Sequence, residues 1–232
     1  MRRNRSMKKF QLLLPILCLV LFTIEVWSAD KIALTIKASG ETSLKRAEAT
    51  EFKPMIKPGT SLFDQDHIKT GKDGYAALVF LDDKSQIKIR ENSEMVISGT
   101  RTEETISKTI SVQIGSLKAE VSPQRKGEFI IATPTSVASV KGTVFWVMSN
   151  PITGDIFFGL SGSIEVRNIE SGSVIVVGAN QTGTSTPDGQ VGVEQTQEGS
   201  TPVEQGEETN NVIRFQLQNS QGDRKEVKIE YK

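Results

Sequence analysis

The sequence predicts an all-β protein: a twisted β-solenoid-like or sandwich domain followed by a C-terminal β-hairpin. Three observations carry that expectation. From Lys31 to about Gln181 apolar residues alternate with polar ones at a period of two, turn-forming residues separate the alternating runs, and no window beyond the N-terminal segment shows a 3.6-residue period. Ile32, Leu34 and Ile36 open the pattern, and Ile87 and Ile89 stand against Gln86, Lys88 and Arg90. Ile110, Val112 and Ile114 alternate with Ser111 and Gln113, then Leu117, Ala119 and Val121 resume against Lys118 and Glu120. Gly115-Ser116 is therefore expected to be a bend between two short strands. Tyr75 to Leu81, Phe129 to Ala132, Val144 to Met148 and Val174 to Val177 are apolar on both faces, as strands covered on both sides would be. Pro58-Gly59, Gly71 to Gly74, Asp82-Asp83-Lys84, Gly99, Gly127, Pro151 to Gly154 and Ser171-Gly172 provide the turns, since Gly and Asp tolerate positive φ and Pro fixes its own. A Gly-Ser bend before an apolar residue recurs at Gly115, Gly162 and Gly172, without a fixed period, and ordinary turn chemistry accounts for it equally well.

The two ends read differently. Met1 to Lys9 carries five cations, and an apolar run follows to Val26, broken by Gln11, Thr23 and Glu25, which is the pattern of a secretory signal peptide over residues 1–28. Cleavage is expected after Ser28, with Ala29 the second choice; Leu12 to Trp27 is short for a membrane-spanning helix, and Leu17 before Cys18 argues against lipidation. The chain has 28 basic and 28 acidic residues, and loss of residues 1–28 would leave 23 against 27, a net charge near −4. It would also remove Cys18, the only cysteine, so disulfides, thiolate metal ligands and a cysteine nucleophile are excluded from the exported product. Residues 182–211 are expected to be an acidic flexible linker, because Thr186 to Asn211 holds six acids, no Lys or Arg and no aromatic residue. Residues 212–232 form a hairpin pattern, with Ile213, Phe215 and Leu217 on one arm and Val227, Ile229 and Tyr231 on the other. A lone hairpin is marginal in water, so its apolar face should dock on its own domain or on a partner.

Residues that could carry chemistry are few. His67, the only histidine, lies beside Asp66 and near Asp64, but no nucleophile accompanies it and a surface turn is the better reading. Gly159-Leu160-Ser161-Gly162-Ser163 begins like a nucleophile elbow yet sits between two strand patterns. Asp64, Asp66, Asp73, Asp82 and Asp83 could supply oxygen ligands to Ca²⁺, although no EF-hand spacing is present and Asp is common in turns. Trp146, Tyr75 and Phe157-Phe158 could stack on sugars, but their apolar neighbours favour a core position. Lys118, Arg125, Lys126 and Lys141 could gather into a small basic patch, while the acidic mature charge argues against nucleic acid. Asn180-Gln181-Thr182 matches a glycosylation sequon.

One ordered set of motifs resembles a known family. Gly40 is followed by Pro58-Gly59-Thr60-Ser61-Leu62-Phe63, by Asp66-His67-Ile68-Lys69-Thr70-Gly71 and by Gly74-Tyr75-Ala76-Ala77-Leu78-Val79-Phe80. Leu81 to Ile89 has the form strand, acidic turn, strand. Then come Ile114-Gly115-Ser116-Leu117, the Thr133-Pro134 pair and Val140-Lys141-Gly142-Thr143-Val144-Phe145. Over Lys31 to Gln181 this series resembles the FecR domain, a periplasmic module named after a regulator of ferric citrate uptake. The resemblance implies the all-β fold over residues 30–181 and a role in binding or relay outside the inner membrane. Its motif residues Thr70, Gly71, Gly115, Thr133, Pro134, Gly142, Thr143 and Phe145 are expected to be structural. The founding regulator has a cytoplasmic anti-sigma segment and a transmembrane helix ahead of this part, whereas here nine mostly polar and basic residues precede the apolar run. The expectation is thus a non-enzymatic, exported binding or scaffold module of the cell envelope, periplasmic or extracellular, with no cofactor, no metal, no nucleic acid and no membrane span after signal cleavage. It would recognise a protein or a glycan; the alternative is a periplasmic signal-relay component that docks a partner through its C-terminal hairpin.

Overall fold

A computed structural model describes residues 30–204, apart from 55, 103, 125 and 126, together with the backbone of Val212–Gln218 and Arg224–Glu230. The expected signal peptide and residues 205–211 lie outside the described residues. The described secondary structure is strand and turn throughout. In chain order the first strands are β1 (Lys31–Ser39), β2 (Thr42–Lys45), β3 (Lys53–Pro54), β4 (Ser61–Phe63), β5 (Asp66–Thr70) and β6 (Tyr75–Phe80). There follow β7 (Gln86–Ile89), β8 (Glu94–Arg101), β9 (Ile106–Glu120), β10 (Phe129–Ala132), β11 (Ser136–Val140) and β12 (Val144–Asn150). The last are β13 (Gly154–Ser161), β14 (Ser163–Asn168), β15 (Val174–Gly178), β16 (Gln181–Ser185), β17 (Val191–Gln195), β18 (Val212–Gln218) and β19 (Arg224–Glu230).

Hydrogen bonding joins β1 to β17 into a continuous 17-stranded network that does not close into a barrel, and β18 and β19 pair separately as an antiparallel hairpin. The network consists of two sheets that share β9. In the first sheet the order is β4-β1-β6-β7-β9-β12-β13-β16-β17. In the second it is β3-β2-β5-β8-β9-β10-β11-β14-β15. Successive hairpins alternate between the sheets, β10–β11 in the second, β12–β13 in the first, β14–β15 in the second and β16–β17 in the first. That alternation is the solenoid-like winding of a sandwich, with the core between the sheets.

The bend that lets β9 serve both sheets falls at Gly115, as the sequence predicts. Its N-terminal part, Ile106–Ile114, pairs with β8, and Leu117–Glu120 pairs with β7 and β12. Gly115 has φ +110, and a Cβ there would come within 2.2 Å of Ser93 Oγ, so glycine is required by both backbone and space. Ile87, Ile89, Leu117, Ala119, Phe145, Val147 and Phe157 project from the first sheet into the core, and Ile97, Ile110, Val112, Ile131, Ile164 and Val166 meet them from the second. One cation is enclosed among them: the Lys108 ammonium is fully buried, 2.7 Å from Asp82 and 2.9 Å from Asp83 in the β6–β7 turn. Burial opposes ionisation of Asp83, but hydrogen bonds from Gln124 and Lys108 outweigh it and hold that carboxyl below its ordinary range.

Two expectations need correction. The segment from residue 182 is not a linker at its start, because Gln181–Ser185 pairs with β13 and Val191–Gln195 pairs in turn with β16. Composition misleads there because the backbone ladder binds these strands and small residues suit the packing: a Cβ on Gly183 would lie 2.3 Å from Val177 Cγ2. The runs Phe129–Ala132 and Val174–Val177 are not covered on both sides. Phe129 and Ile131 are buried while their neighbours are partly open, and on β15, the edge of the second sheet, Val174 and Val176 face solvent.

Candidate functional site

The outer face of the first sheet holds an unusual transverse row. Register places Lys88 opposite Lys118, Lys118 opposite Trp146, Trp146 opposite Phe158 and Phe158 opposite Thr182. Directly paired residues share a face, and Leu117, Ala119, Phe145, Val147 and Phe157 at alternate positions occupy the core, so this row points outward. Yet Trp146 and Phe158 are only 2% and 5% exposed. Trp146 is buried, as its apolar neighbours imply, but on the side of its strand opposite the cluster between the sheets.

Residues 196–204 are tied to both ends of this row. At one end the Thr196 N–H donates to Asn180 O at 2.9 Å, and the Thr182 and Thr196 hydroxyls lie 2.9 Å apart. At the other, Glu204 accepts from Lys118 Nζ at 2.5 Å and pairs with Lys88. From β16 to β9 is three inter-strand steps, roughly 14 Å at the usual strand spacing. Eight residues can reach about 26 Å, so this strap joins the two ends of the row with length to spare. Thr201 and Pro202 are half-buried along it. Two lysines directly opposite on adjacent strands repel one another; here Glu120 lies 2.8 Å from Lys88 and 3.2 Å from Lys118, and Glu204 completes the neutralisation. Burial pushes the Glu204 carboxyl up, but hydrogen bonds from Lys118 and Lys88 more than reverse this and hold it below its ordinary range; Glu120 behaves alike. Burial likewise opposes the charge on Lys88 and Lys118, and the same carboxylates raise both pKa values.

Beside this row the face is open. A groove of about 330 Å³ runs along the bend of β9 and the β12–β13 turn, lined by Ile114, Ser116, Met148, Asn150 and Ile156 and bordered by Glu91 and Asn92. Ile114 and Met148 are 41% and 40% exposed, and Ile152 at the turn is 84% exposed. Asn150 Oδ1 accepts from Ile152 N–H at 2.8 Å and Thr153 N–H at 3.2 Å, which fixes the turn carrying Ile152. Beneath the groove the buried Asp155 carboxylate is surrounded by hydroxyls: Thr133 at 2.5 Å, Ser136 at 2.7 Å and Thr135 on Oδ2, and Ser149 at 2.6 Å on Oδ1.

The residues expected to carry the motif fall at bends and in the core. Thr70 closes the β5 end, donating to Arg90 O at 2.5 Å and accepting from Ser93 N–H at 3.0 Å. Gly71 N–H donates to Glu41 O at 2.8 Å. Thr133 and Pro134 form the β10–β11 turn, where Thr133 accepts from Ser136 N–H at 2.8 Å and holds Asp155. Gly142 has φ +105, Thr143 donates to Ser163 O at 2.9 Å, and Phe145 is in the core. Gly115 and the Thr133 turn thus reach the groove, one in its wall and one through Asp155 beneath it.

The other candidates are dispersed. His67 Nε2 lies 3.0 Å from Glu94, with Phe52 edge-on at 4.9 Å, and burial lowers its pKa against the pull of Glu94. Asp64 accepts from Gly99 N–H at 2.9 Å, Asp66 holds Phe63 N–H at 2.8 Å and Arg46, Asp73 takes Glu41 N–H at 3.2 Å, and Asp82 and Asp83 hold Lys108. The acids are thus engaged by donors within the protein at separate places, Asp82 and Asp83 sharing Lys108. Ser161 and Gly162 form the β13–β14 turn, and Tyr75 is buried beside Lys37. Lys118 serves the strap and Lys141 is exposed, while Arg125 and Lys126 lie outside the described residues. Sequence reasoning missed Asp155, Lys108 and Glu204. An acid directly after Gly154 at the head of an apolar strand, and a lysine amid the alternating Ile106 and Ile110, were available signals. Glu204 had none, since its partners are 86 and 116 residues away.

Comparison with known proteins agrees with the motif reading. Residues 66–157 match the family described as FecR protein. No curated protein matches the chain. Two crystal structures of a proposed anti-sigma factor from Parabacteroides distasonis are similar, with 17% and 18% sequence identity and TM-scores of 0.48 and 0.46. Each alignment covers 56% of this chain and 59% of the other, so the chain spans less than two thirds of those proteins. Among the described residues no helix is long and apolar enough to cross a membrane. The ordered motifs and the family match agree: residues 66–157 of this chain match the FecR family.

Proposed function

We propose that the protein is a non-enzymatic, exported FecR-domain module of the cell envelope that binds a protein partner in the groove at the β9 bend. The observation that carries this reading is the open aliphatic wall of Ile114, Met148 and Ile156 next to the exposed Ile152 on an ordered turn. Aliphatic walls suit apolar side chains of a protein, whereas sugar rings stack on aromatic faces, and Trp146 and Phe158 on this face are buried. The groove's Glu91 is 3.0 Å from Arg90, and the nearby Asp155 is enclosed by hydroxyls, an arrangement suited to holding shape.

Photo-crosslinking in the source cells tests this. A photoreactive residue at Ile152 or Met148 should give one discrete protein adduct that the same residue at Glu165, on the second sheet, does not give. Adducts to glycan alone, or equal labelling at all three positions, would contradict it. The relay alternative draws on the β18–β19 pairing that follows the strap: deletion of 212–232 should then abolish the adduct without lowering the melting temperature.

A further inference from the structure

We infer that the lysine–tryptophan row beneath the strap is a docking site for an extended acidic peptide, held shut by the chain's own residues 196–204. This goes beyond the groove reading and does not depend on it, since the row and the groove are separate parts of the face.

The row is built as a receptor. Lys88 and Lys118 stand opposite each other with one shared neighbour, Glu120, so without Glu204 the three groups carry a net positive charge on a largely enclosed surface. Trp146 lies next in the row, and the Arg90 guanidinium is 6.0 Å from its ring. A segment that fits must put a carboxylate on the two ammonium groups, lie extended across β12 and β13, and carry no cation of its own. Residues 194–204, Glu-Gln-Thr-Gln-Glu-Gly-Ser-Thr-Pro-Val-Glu, place a carboxylate on the two ammonium groups and carry no cation, and Thr196 and Glu204 stand at the two ends of the row.

The strap is nevertheless held lightly. Between its anchors the backbone hydrogen bond it makes is internal, Ser200 N–H to Gln197 O at 3.1 Å, and Val203 faces solvent. Pro202 removes a donor and Gly199, at φ +79, interrupts extended pairing, so the segment does not become another strand. Retention therefore rests on Glu204 at one end and Thr196 at the other, helped by the high effective concentration of a tethered segment. A partner with the same acidic, extended chemistry competes once that clip is weakened, and its binding frees the chain leading to β18 and β19.

The test uses the full chain with Trp27→Phe, so that Trp146 is the only tryptophan. Glu204→Gln should increase acrylamide quenching of Trp146 about twofold or more while the far-ultraviolet circular dichroism is retained. A fluorescein-labelled peptide of residues 194–206 should then bind the Glu204→Gln chain at least tenfold more tightly than the Glu204 chain, and the same peptide with Lys at position 204 should not bind. Lys118→Gln in the Glu204→Gln chain should abolish peptide binding. Unchanged quenching in Glu204→Gln would show that the clip does not hold the strap. Peptide binding that ignores the Lys exchange, or no binding by a chain whose Trp146 is open, would show that the row is not an acidic-peptide site. Loss of the circular dichroism signal would show that the strap belongs to the core, and would overturn the inference as well.

Discussion

Lysines serve two different ends in this molecule. Lys108 is wholly enclosed between the sheets and meets Asp82 and Asp83, which come from the turn closing β6 on β7. Lys88 and Lys118 lie on the outer face and meet Glu120 from the same sheet and Glu204 from a segment with no ladder to it. The first cluster cannot open without unfolding the sandwich, because its partners sit in elements that define the core. The second can open by movement of residues 196–204 alone. Similar ion pairs thus make a staple in one place and a clip in the other, and the difference lies in what else holds the partner.

The largest predicted effect breaks the staple. Lys108→Ala leaves two carboxylates without their cation in a buried site and should cost about 3–5 kcal/mol, read as a large fall in the denaturation midpoint. Asp155→Ala leaves the Thr133, Thr135, Ser136 and Ser149 hydroxyls without their acceptor and should cost about 3 kcal/mol, with the groove turn loosened as well. Gly115→Ala forces a Cβ against Ser93 in a left-handed backbone and should cost about 1–3 kcal/mol, since it strains the bend that both sheets share. Glu204→Gln should cost least of these, because Glu120 still neutralises one of the two lysines and a glutamine amide oxygen still accepts a hydrogen bond, while changing the environment of Trp146 far more than any of the others. The clip should also respond to acid. Its carboxylate has a folded pKa below the ordinary 4.5, so its contribution is complete above that value and is lost as pH falls through the lowered one. Trp146 quenching followed from pH 7 to pH 3 in the Glu204 and Glu204→Gln chains should show an acid-dependent rise in the former that the latter has largely completed at pH 7.

Much of the fold was legible because period-two alternation reports the inward face directly. Ile87, Ile89, Leu117 and Ala119 are core residues as their spacing implies, and Gly115 bends β9 where the pattern breaks. Runs apolar on both faces were a truthful signal over most of Tyr75–Leu81 and of Val144–Met148, although Met148 itself is exposed, and a false one at Phe129–Ala132 and at Val174–Val177, where β15 is a sheet edge. Local pattern cannot tell these apart, because whether an outer face is covered depends on distant parts of the chain, as with residues 196–204, which reach back to both ends of the row and whose own composition resembles a linker. The same limit hid the site. Glu204 is one acid among many in an acidic stretch, and only the register that sets Lys88 against Lys118 gives it a partner.

The distinction between staple and clip can be measured in one experiment: guanidinium chloride denaturation of the Trp27→Phe chain, followed by acrylamide quenching of Trp146 and by circular dichroism. The salt screens ion pairs before it unfolds the sheets. Trp146 is predicted to open at a lower concentration than that which melts the sheets, with Glu204→Gln shifting only the first transition. A single transition common to both probes and to both chains would contradict the account, because the strap would then be part of the core.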